Sequence, residues 1–367
     1  MAEPITNFSA GPSALPTPVR AALAEALKPS SIPSIAEISH RGARFGEVAE
    51  ALEDHLRRLT GVGDSHHILL LHGGANLQFA QIPMNFAGAA AGGRAAGYLI
   101  TGHWGQKAVQ EAKRVGPARV IASTEAEGFV DTVEASEEPD LAEVAYVHYT
   151  GNETIQGVQY PLPPDSTLPR VADLSSEFLS RPYPYQDLAL AYAGVQKNLG
   201  IAGLTVVMLS KAWIEATGPE PPPGLPAFLD YRQWIRQDSM FNTPCTWAWF
   251  VALEMCRWIE GEGGLGEIAA RNAAKAAALY AQLDGSDFYH NPVQPRARSV
   301  MNVPFWLSNE NAALTPEFVA KAEAHGLLGL KGHRAVGGLR ASLYNAIDLN
   351  AVHVLVDFMK EFERTHG

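Results

Sequence analysis

The sequence predicts an α/β fold: a large domain on a mostly parallel sheet, followed by a smaller C-terminal α+β domain. Short, nearly continuous apolar segments recur between helix-like stretches, as expected of strands covered on both faces. A glycine break, "GEGG" (261–264), interrupts a long helical pattern and marks the boundary. Beyond it, strand-like and helix-like stretches mix.

Taken in order, the strand candidates are "HILLLHGG" (67–74), "AAGYLITG" (95–102), "RVIAS" (119–123), "VAYVHYT" (144–150), "RVADLSS" (170–176), "LALAYAG" (188–194) and "LTVVMLS" (204–210). The stretch "GPEPPPGLP" (218–226) is too rich in proline for a helix or a central strand and reads as a surface excursion, one that could cross toward another subunit. From Thr246, "TWAWFVALEMCRWIE" is helical, and after the glycine break "LGEIAARNAAKAAALYAQLDG" resumes with the Ala, Leu and Glu content of a long helix. In the last part, "SVMNVPFWL" and "GLRASLY" read as strands. "NAVHVLVDFMKEF" closes the chain as a helix, with Val352, Leu355, Val356, Met359 and Phe362 on one face.

Composition narrows the function classes. A chain of 367 residues, 47% of them apolar, can bury a sizeable core. Its formal charge of -11, without basic stripes, argues against nucleic acid or an anionic membrane as partner. Any anionic substrate must be attracted locally. Only Cys245 and Cys256 occur, with no CxxC and no Cys/His cluster, so neither a disulfide framework nor a metal site is expected. The N-terminus lacks a targeting pattern and no run is long enough to span a bilayer, so a cytoplasmic location is expected.

In open α/β sheets ligands sit beyond the carboxyl ends of the strands, and here those ends are polar. "HGGAN" (72–76) opens a helix-like stretch whose free amides suit a phosphate, although a Gly-Gly turn also has a purely structural use. Trp104 in "TGHWGQKA" is expected on a glycine-flanked loop, either as a packing anchor or as a plate for a flat ring. Thr154 follows in "GNETIQG". Asp173 stands at the tip of an apolar strand, where it could equally cap a turn. Lys197 ends "YAGVQK", and alone it would pass for a solvated surface charge. Together these groups supply a phosphate cradle, an aromatic plate, an acid and an amine. Pyridoxal phosphate needs all four: its phosphate held, its ring stacked, its pyridine nitrogen kept protonated and its aldehyde captured by a lysine.

The stretches "NFSAGPSALP", "EISHR", "HGGANLQFAQIPMN", "GHWGQKA", "VADLSSEFLSRP", "YAGVQKNLGIAG", "FNTPCTWAW", "MNVPF" and "GLLGLKGHRAVGGLRASLYNA" occur in this order across nearly the whole chain. They resemble the phosphoserine aminotransferases, a branch of the class V aminotransferases that use pyridoxal phosphate. The resemblance implies fold type I, with a large cofactor-binding domain (16–260) and a small domain made of 1–15 and 261–367. It also implies a homodimer with shared active sites and transfer of an amino group from L-glutamate to 3-phosphohydroxypyruvate, the serine-forming step. The analogous phosphorylated hydroxythreonine step of vitamin B6 synthesis is compatible with the same residues.

On the matching positions, the resemblance implies that Lys197 holds the cofactor and Asp173 partners its ring nitrogen, with Trp104 stacked on the ring. Ala75, Asn76, Thr154 and Gln196 would contact the cofactor, mostly near its phosphate. Asn242 and Thr243 in "FNTP" would complete the phosphate cup from the other subunit. Arg340 would bind the substrate α-carboxylate, His40, Arg41, His333 and Arg334 the distal anion, and Ser9 would lie beside the glutamate. An acidic protein acting on dianions needs such local arginines, whose planar fork donates in pairs. The sequence departs from some relatives by lacking an arginine just after "HGG" and by having Cys245 where a second proline is frequent. The rivals are a lyase or desulfurase on the same fold, an aminotransferase of an unphosphorylated 2-oxo acid such as glyoxylate or hydroxypyruvate, and a silent scaffold. A desulfurase needs a mobile cysteine, a glyoxylate enzyme needs fewer cations, and a scaffold need not keep Lys197, Asp173 and Arg340 together.

Overall fold

The computed structural model describes residues 5–28, 32–135 and 141–367. Residues 1–4 of the stretch assigned to the small domain, and 29–31 and 136–140 of the large one, lie outside the described residues.

The helices are α1 (Thr17–Ala26), α2 (Ala43–Thr60), α3 (Gly74–Phe86), α4 (His103–Val115), α5 (Lys211–Ala216), α6 (Tyr231–Arg236), α7 (Thr246–Gly261), α8 (Gly264–Asp284), α9 (Thr315–Ala324) and α10 (Leu349–His366). The strands are β1 (Thr6–Asn7), β2 (His66–Leu71), β3 (Ala95–Ile100), β4 (Ala118–Ser123), β5 (Val144–Thr150), β6 (Arg170–Asp173), β7 (Leu190–Gly194), β8 (Thr205–Ser210), β9 (Tyr289–His290), β10 (Asn302–Leu307), β11 (Leu327–Leu328) and β12 (Leu339–Ser342).

Seven strands form the main sheet in the order β2-β8-β7-β6-β5-β3-β4. Strand β8 runs antiparallel to β2 and β7, and every other pairing is parallel. Successive side chains of a strand point to opposite faces, and both faces are covered. Ile68, Leu70, Val147, Tyr149, Ala191 and Val206 join the core shared with α2 and α7. Their neighbours Leu69, Leu71, Tyr146, Tyr192 and Val207 pack against α3, α4 and α6 on the other face. That double covering is why the strands read as continuous apolar runs.

A separate core gathers Phe8 with residues of α8, α9 and α10 and of the antiparallel sheet β12-β10-β9. The five residues expected on the inner face of the closing helix are its buried ones. Strand β1 pairs with β11 in parallel, Thr6 opposite Leu327 and Asn7 opposite Leu328. The N-terminal stretch is thereby carried from this sheet to the end of β7, where Ser13 N–H donates to the Gln196 carbonyl at 3.0 Å. Helix α8 links the two cores: Leu265 and Ile268 belong to the first, Ala276, Leu279 and Leu283 to the second. The proline-rich 218–226 stretch contains no helix or strand. Among the described residues no helix is long and apolar enough to cross a membrane.

Candidate active site

The carboxyl ends of β2, β3, β5, β6 and β7 open on a cavity of about 310 Å³. Ala75, Asn76, Trp104, Thr154, Asp173, Gln196, Lys197, His333 and Arg340 line it, nine of the residues singled out from the sequence. Lys197 stands just beyond β7, after Val195 and Gln196, and its Nζ donates to Thr154 Oγ1 at 3.0 Å while standing 5.8 Å from the centre of the Trp104 ring. Loss of hydration is the largest influence on this amine and lowers its pKa to about 8; Asp173 pulls the other way, and Arg340 adds to the lowering.

Asp173 ends β6 and is buried. Its Oδ1 accepts from the Ser175 N–H at 2.9 Å and from the Ser175 hydroxyl at 2.6 Å, which ties the carboxylate in place. Burial raises its pKa, and the Ser175 bonds and Lys197 oppose that rise. A buried carboxylate held this way is suited to keeping a proton on a bound ring nitrogen.

Two helix N-termini, those of α3 and α4, border the cavity, and their first turns are finished differently. Helix α3 starts at Gly74 without a side-chain cap, leaving the amides at Ala75 and Asn76 available to an anion. Its N-cap Gly73 has φ of +89°, and a Cβ there would lie 2.5 Å from Leu77 Cδ2, so only glycine fits this turn. At α4, Glu153 Oε2 accepts from Trp104 N–H at 2.9 Å and Oε1 from Gly105 N–H at 2.8 Å. Of these two first turns, only that of α3 lacks a side-chain cap on its amides. Trp104 was expected on a loop and stands instead in the first turn of α4, because Glu153 satisfies amides that would otherwise need water.

Arginine and histidine side chains close one wall. Arg340, from β12, donates to the Thr154 carbonyl at 3.3 Å, and its Nε is buried without a partner. His333 lies 5.7 Å, ring to ring, from His103, and Arg340, His103 and Arg334 are all near enough to lower its pKa, after burial. Asn152 Oδ1 is likewise buried with no partner beside the cavity.

The family model for Aminotransferase class-V matches residues 5–355. The chain belongs to the class V aminotransferase family. It is 46% identical to a phosphoserine aminotransferase of Stenotrophomonas maltophilia, over 98% of this chain and 99% of that relative. Its fold superposes on a phosphoserine aminotransferase from Bacillus circulans subsp. alkalophilus with a TM-score of 0.93, at 41% identity over 99% of both chains. A second solved structure, PLP-bound phosphoserine aminotransferase from Trichomonas vaginalis, matches with a TM-score of 0.89 at 36% identity, over 97% of this chain and 100% of that one.

In this class V aminotransferase the remaining site candidates lie outside the cavity lining. Ser9 is adjacent to Ala10 and Gly11, which do line it. Arg334 is exposed next to His333. His40 and Arg41 sit in the turn before α2, and Asn242 and Thr243 in an exposed turn before α7. Beside that turn Phe228 and Phe241, 36% and 38% exposed, form an aromatic cluster with Trp234 and His72. Cys256 is buried in α7, where burial pushes its thiol well up, and Cys245 stands at the N-cap position of the same helix without a side-chain capping bond. Neither lines the cavity.

Asn152, Glu153, Ser175 and Ser176 belong to the site region and were not singled out from the sequence. The signal was present: "GNET" and "DLSS" are polar runs directly after apolar strands, and only one residue of each was read as functional.

Proposed function

We propose that this chain is a phosphoserine aminotransferase, which uses pyridoxal phosphate to move the amino group of L-glutamate to 3-phosphohydroxypyruvate, giving O-phospho-L-serine and 2-oxoglutarate. The observation that carries the proposal is Lys197, at the end of β7, with its amine between Thr154, the Trp104 ring and the buried Asp173. The residues present fit the cofactor: uncapped amides at α3 for its phosphate, Trp104 for its ring face and Asp173 for its ring nitrogen. Bound there, it supplies an electron sink for the carbanion left when an amino acid loses its α-proton.

The chain's own groups do the rest. Arg340 holds the substrate α-carboxylate with its free Nε–H and neighbouring donors. Lys197 Nζ, its pKa brought near the working range, takes the α-proton of glutamate; in the second half-reaction it returns a proton to the α-carbon of the accepted oxo acid. Thr154 Oγ1 keeps that amine oriented between turnovers. Asp173, buried and braced by Ser175, keeps the ring nitrogen protonated.

Two cores, one from the main sheet and one from α8–α10 with Phe8, support reading the chain as a large domain (16–260) and a small domain (1–15 and 261–367). His40, Arg41, Asn242 and Thr243 do not reach the cavity of their own chain, and an exposed aromatic cluster lies beside Asn242. Both facts support a homodimer in which one subunit completes the other's site. His333 and Arg334, and His40 and Arg41 across the dimer, take the distal phosphate or γ-carboxylate.

The test is the glutamate half-reaction. Purified protein is expected to be yellow and to bleach on adding glutamate, releasing about one 2-oxoglutarate per site, whereas Lys197→Ala releases none. Colourless protein that takes up no pyridoxal phosphate, or Lys197→Ala turning over at the parental rate, contradicts the proposal.

A further inference from the structure

The cap on α4 is unusual in where it comes from. Helices α5, α6 and α10 are capped by their own N-cap side chains, Ser210, Asp230 and Asp348. Helix α4 is capped across the fold by Glu153, 49 residues from Trp104, reaching over from the segment that follows β5. Gln156 of the same segment adds a third bond, its Oε1 accepting from His103 N–H at 3.1 Å. The segment is itself fixed, with Glu153 N–H donating to the Val158 carbonyl and Gly157 N–H to the Glu153 carbonyl, each at 2.8 Å. Glycine at 102 makes room for the collar, since a Cβ there would stand 2.6 Å from Glu153 Cδ.

The Glu153 carboxylate is fully buried and makes no ion pair among the described residues; its two oxygens go to the amides of Trp104 and the next residue. Leaving a carboxylate in such a place is costly, and burial pushes its pKa up to about 7, partly offset by those two bonds. The next residue along the same segment is Thr154, which holds Lys197. One short segment thus ties the aromatic wall of the cavity to its amine.

We infer that Glu153 is a positioning residue, locking the first turn of α4 so that Trp104 is held rigidly against the bound cofactor in register with Lys197. The inference rests on the pyridoxal phosphate reading of the site but not on the identity of the substrate. Glu153→Gln keeps the side chain's size and replaces one acceptor oxygen with an NH2 group facing an N–H, so one bond of the collar is lost.

The experiment is a double-mutant cycle on the holoenzyme that reads equilibrium release of pyridoxal phosphate and the visible circular dichroism of the bound cofactor. Glu153→Gln is expected to weaken retention about tenfold and to diminish the dichroism. In the Trp104→Ala background the same change is expected to weaken retention by less than about twofold, because the wall it positions is gone. Equal losses in both backgrounds, or unchanged retention and dichroism in Glu153→Gln, overturn the inference. If Glu153→Gln does not accumulate as folded protein, the cycle is run with Gln156→Ala, which removes the collar's third bond; a few-fold loss confined to the Trp104-containing background is expected, and equal or absent losses overturn the inference. Neither readout uses a phosphorylated substrate, so failure here leaves the proposed reaction standing, and failure of that reaction leaves this cycle interpretable.

Discussion

Asp173 shows how much a single buried charge is asked to do. It is held by two bonds from Ser175, whose hydroxyl also accepts from Gly194 N–H at 3.1 Å, so the acid is braced from the strand that delivers Lys197. Removing the carboxylate leaves the uncapped first turn of α3 and the Trp104 ring in place. Asp173→Ala is therefore expected to retain cofactor while kcat falls about a hundredfold or more; steady-state kinetics alongside an absorbance spectrum checks this, and near-normal turnover contradicts the assigned role. At this scale each residue taken alone had a bland use, and the sequence was informative because several polar residues recur together at the ends of apolar strands. Lys197, Asp173 and Trp104 ended apolar strands or stood between glycines, and all three line the cavity. Glu153 was not singled out because its partners are backbone amides 48 and 49 residues away, and nothing in the local sequence announces a long-range cap.

Among the elements, α8 carries a second buried amine that the chemistry does not use. Lys275 donates to the Leu343 and Tyr344 carbonyls at 2.8 and 2.9 Å, fastening the helix that joins the two cores to the segment after β12. Burial lowers this amine to about 7, with Asp348 opposing and Arg271 adding to the shift. An ordinary lysine titrates near 10.4. Between these values the unfolded chain holds a proton that the folded chain has lost, so this group makes stability rise with pH across the window. Lys275→Met is expected to be less stable near neutrality, because two buried carbonyls lose their donor. It is also expected to lose the rising slope, which is at most about 1.4 kcal/mol per pH unit. Denaturant unfolding of both proteins between pH 7.5 and 9.5 tests this, and parallel pH profiles contradict it. The strands of the main sheet and the inner face of α10 were legible as elements because burial on one or both faces writes a periodic apolar pattern. The β1–β11 pairing was not: two-residue strands joined across some 320 positions leave no periodicity to read.

For the whole molecule, the acidic balance and the cationic wall have to be reconciled. A chain of net charge -11 repels dianions at a distance, yet Lys197 and Arg340 meet at one cavity, with Arg334 close by and His333 on the same wall. Charge concentrated in a partly desolvated cleft outweighs a diffuse and salt-screened surface field. The overall architecture was legible because double-sided burial, strand-end polarity and the order of motifs all pointed to one answer. His40, Arg41, Asn242 and Thr243 stand outside the cavity of their own chain, and for Asn242 and Thr243 it was the resemblance, not a pattern in the residues themselves, that assigned them to a second subunit's site. The central claim is that the cationic wall selects a phosphorylated acceptor. The direct measurement is 2-oxoglutarate released from glutamate with 3-phosphohydroxypyruvate or unphosphorylated hydroxypyruvate as acceptor, compared by kcat/KM. A preference for the phosphorylated acceptor of about a hundredfold or more is expected, since two or more charge-assisted bonds are at stake. Equal values, or a preference for the unphosphorylated acid, would contradict the account and move the substrate elsewhere in the family.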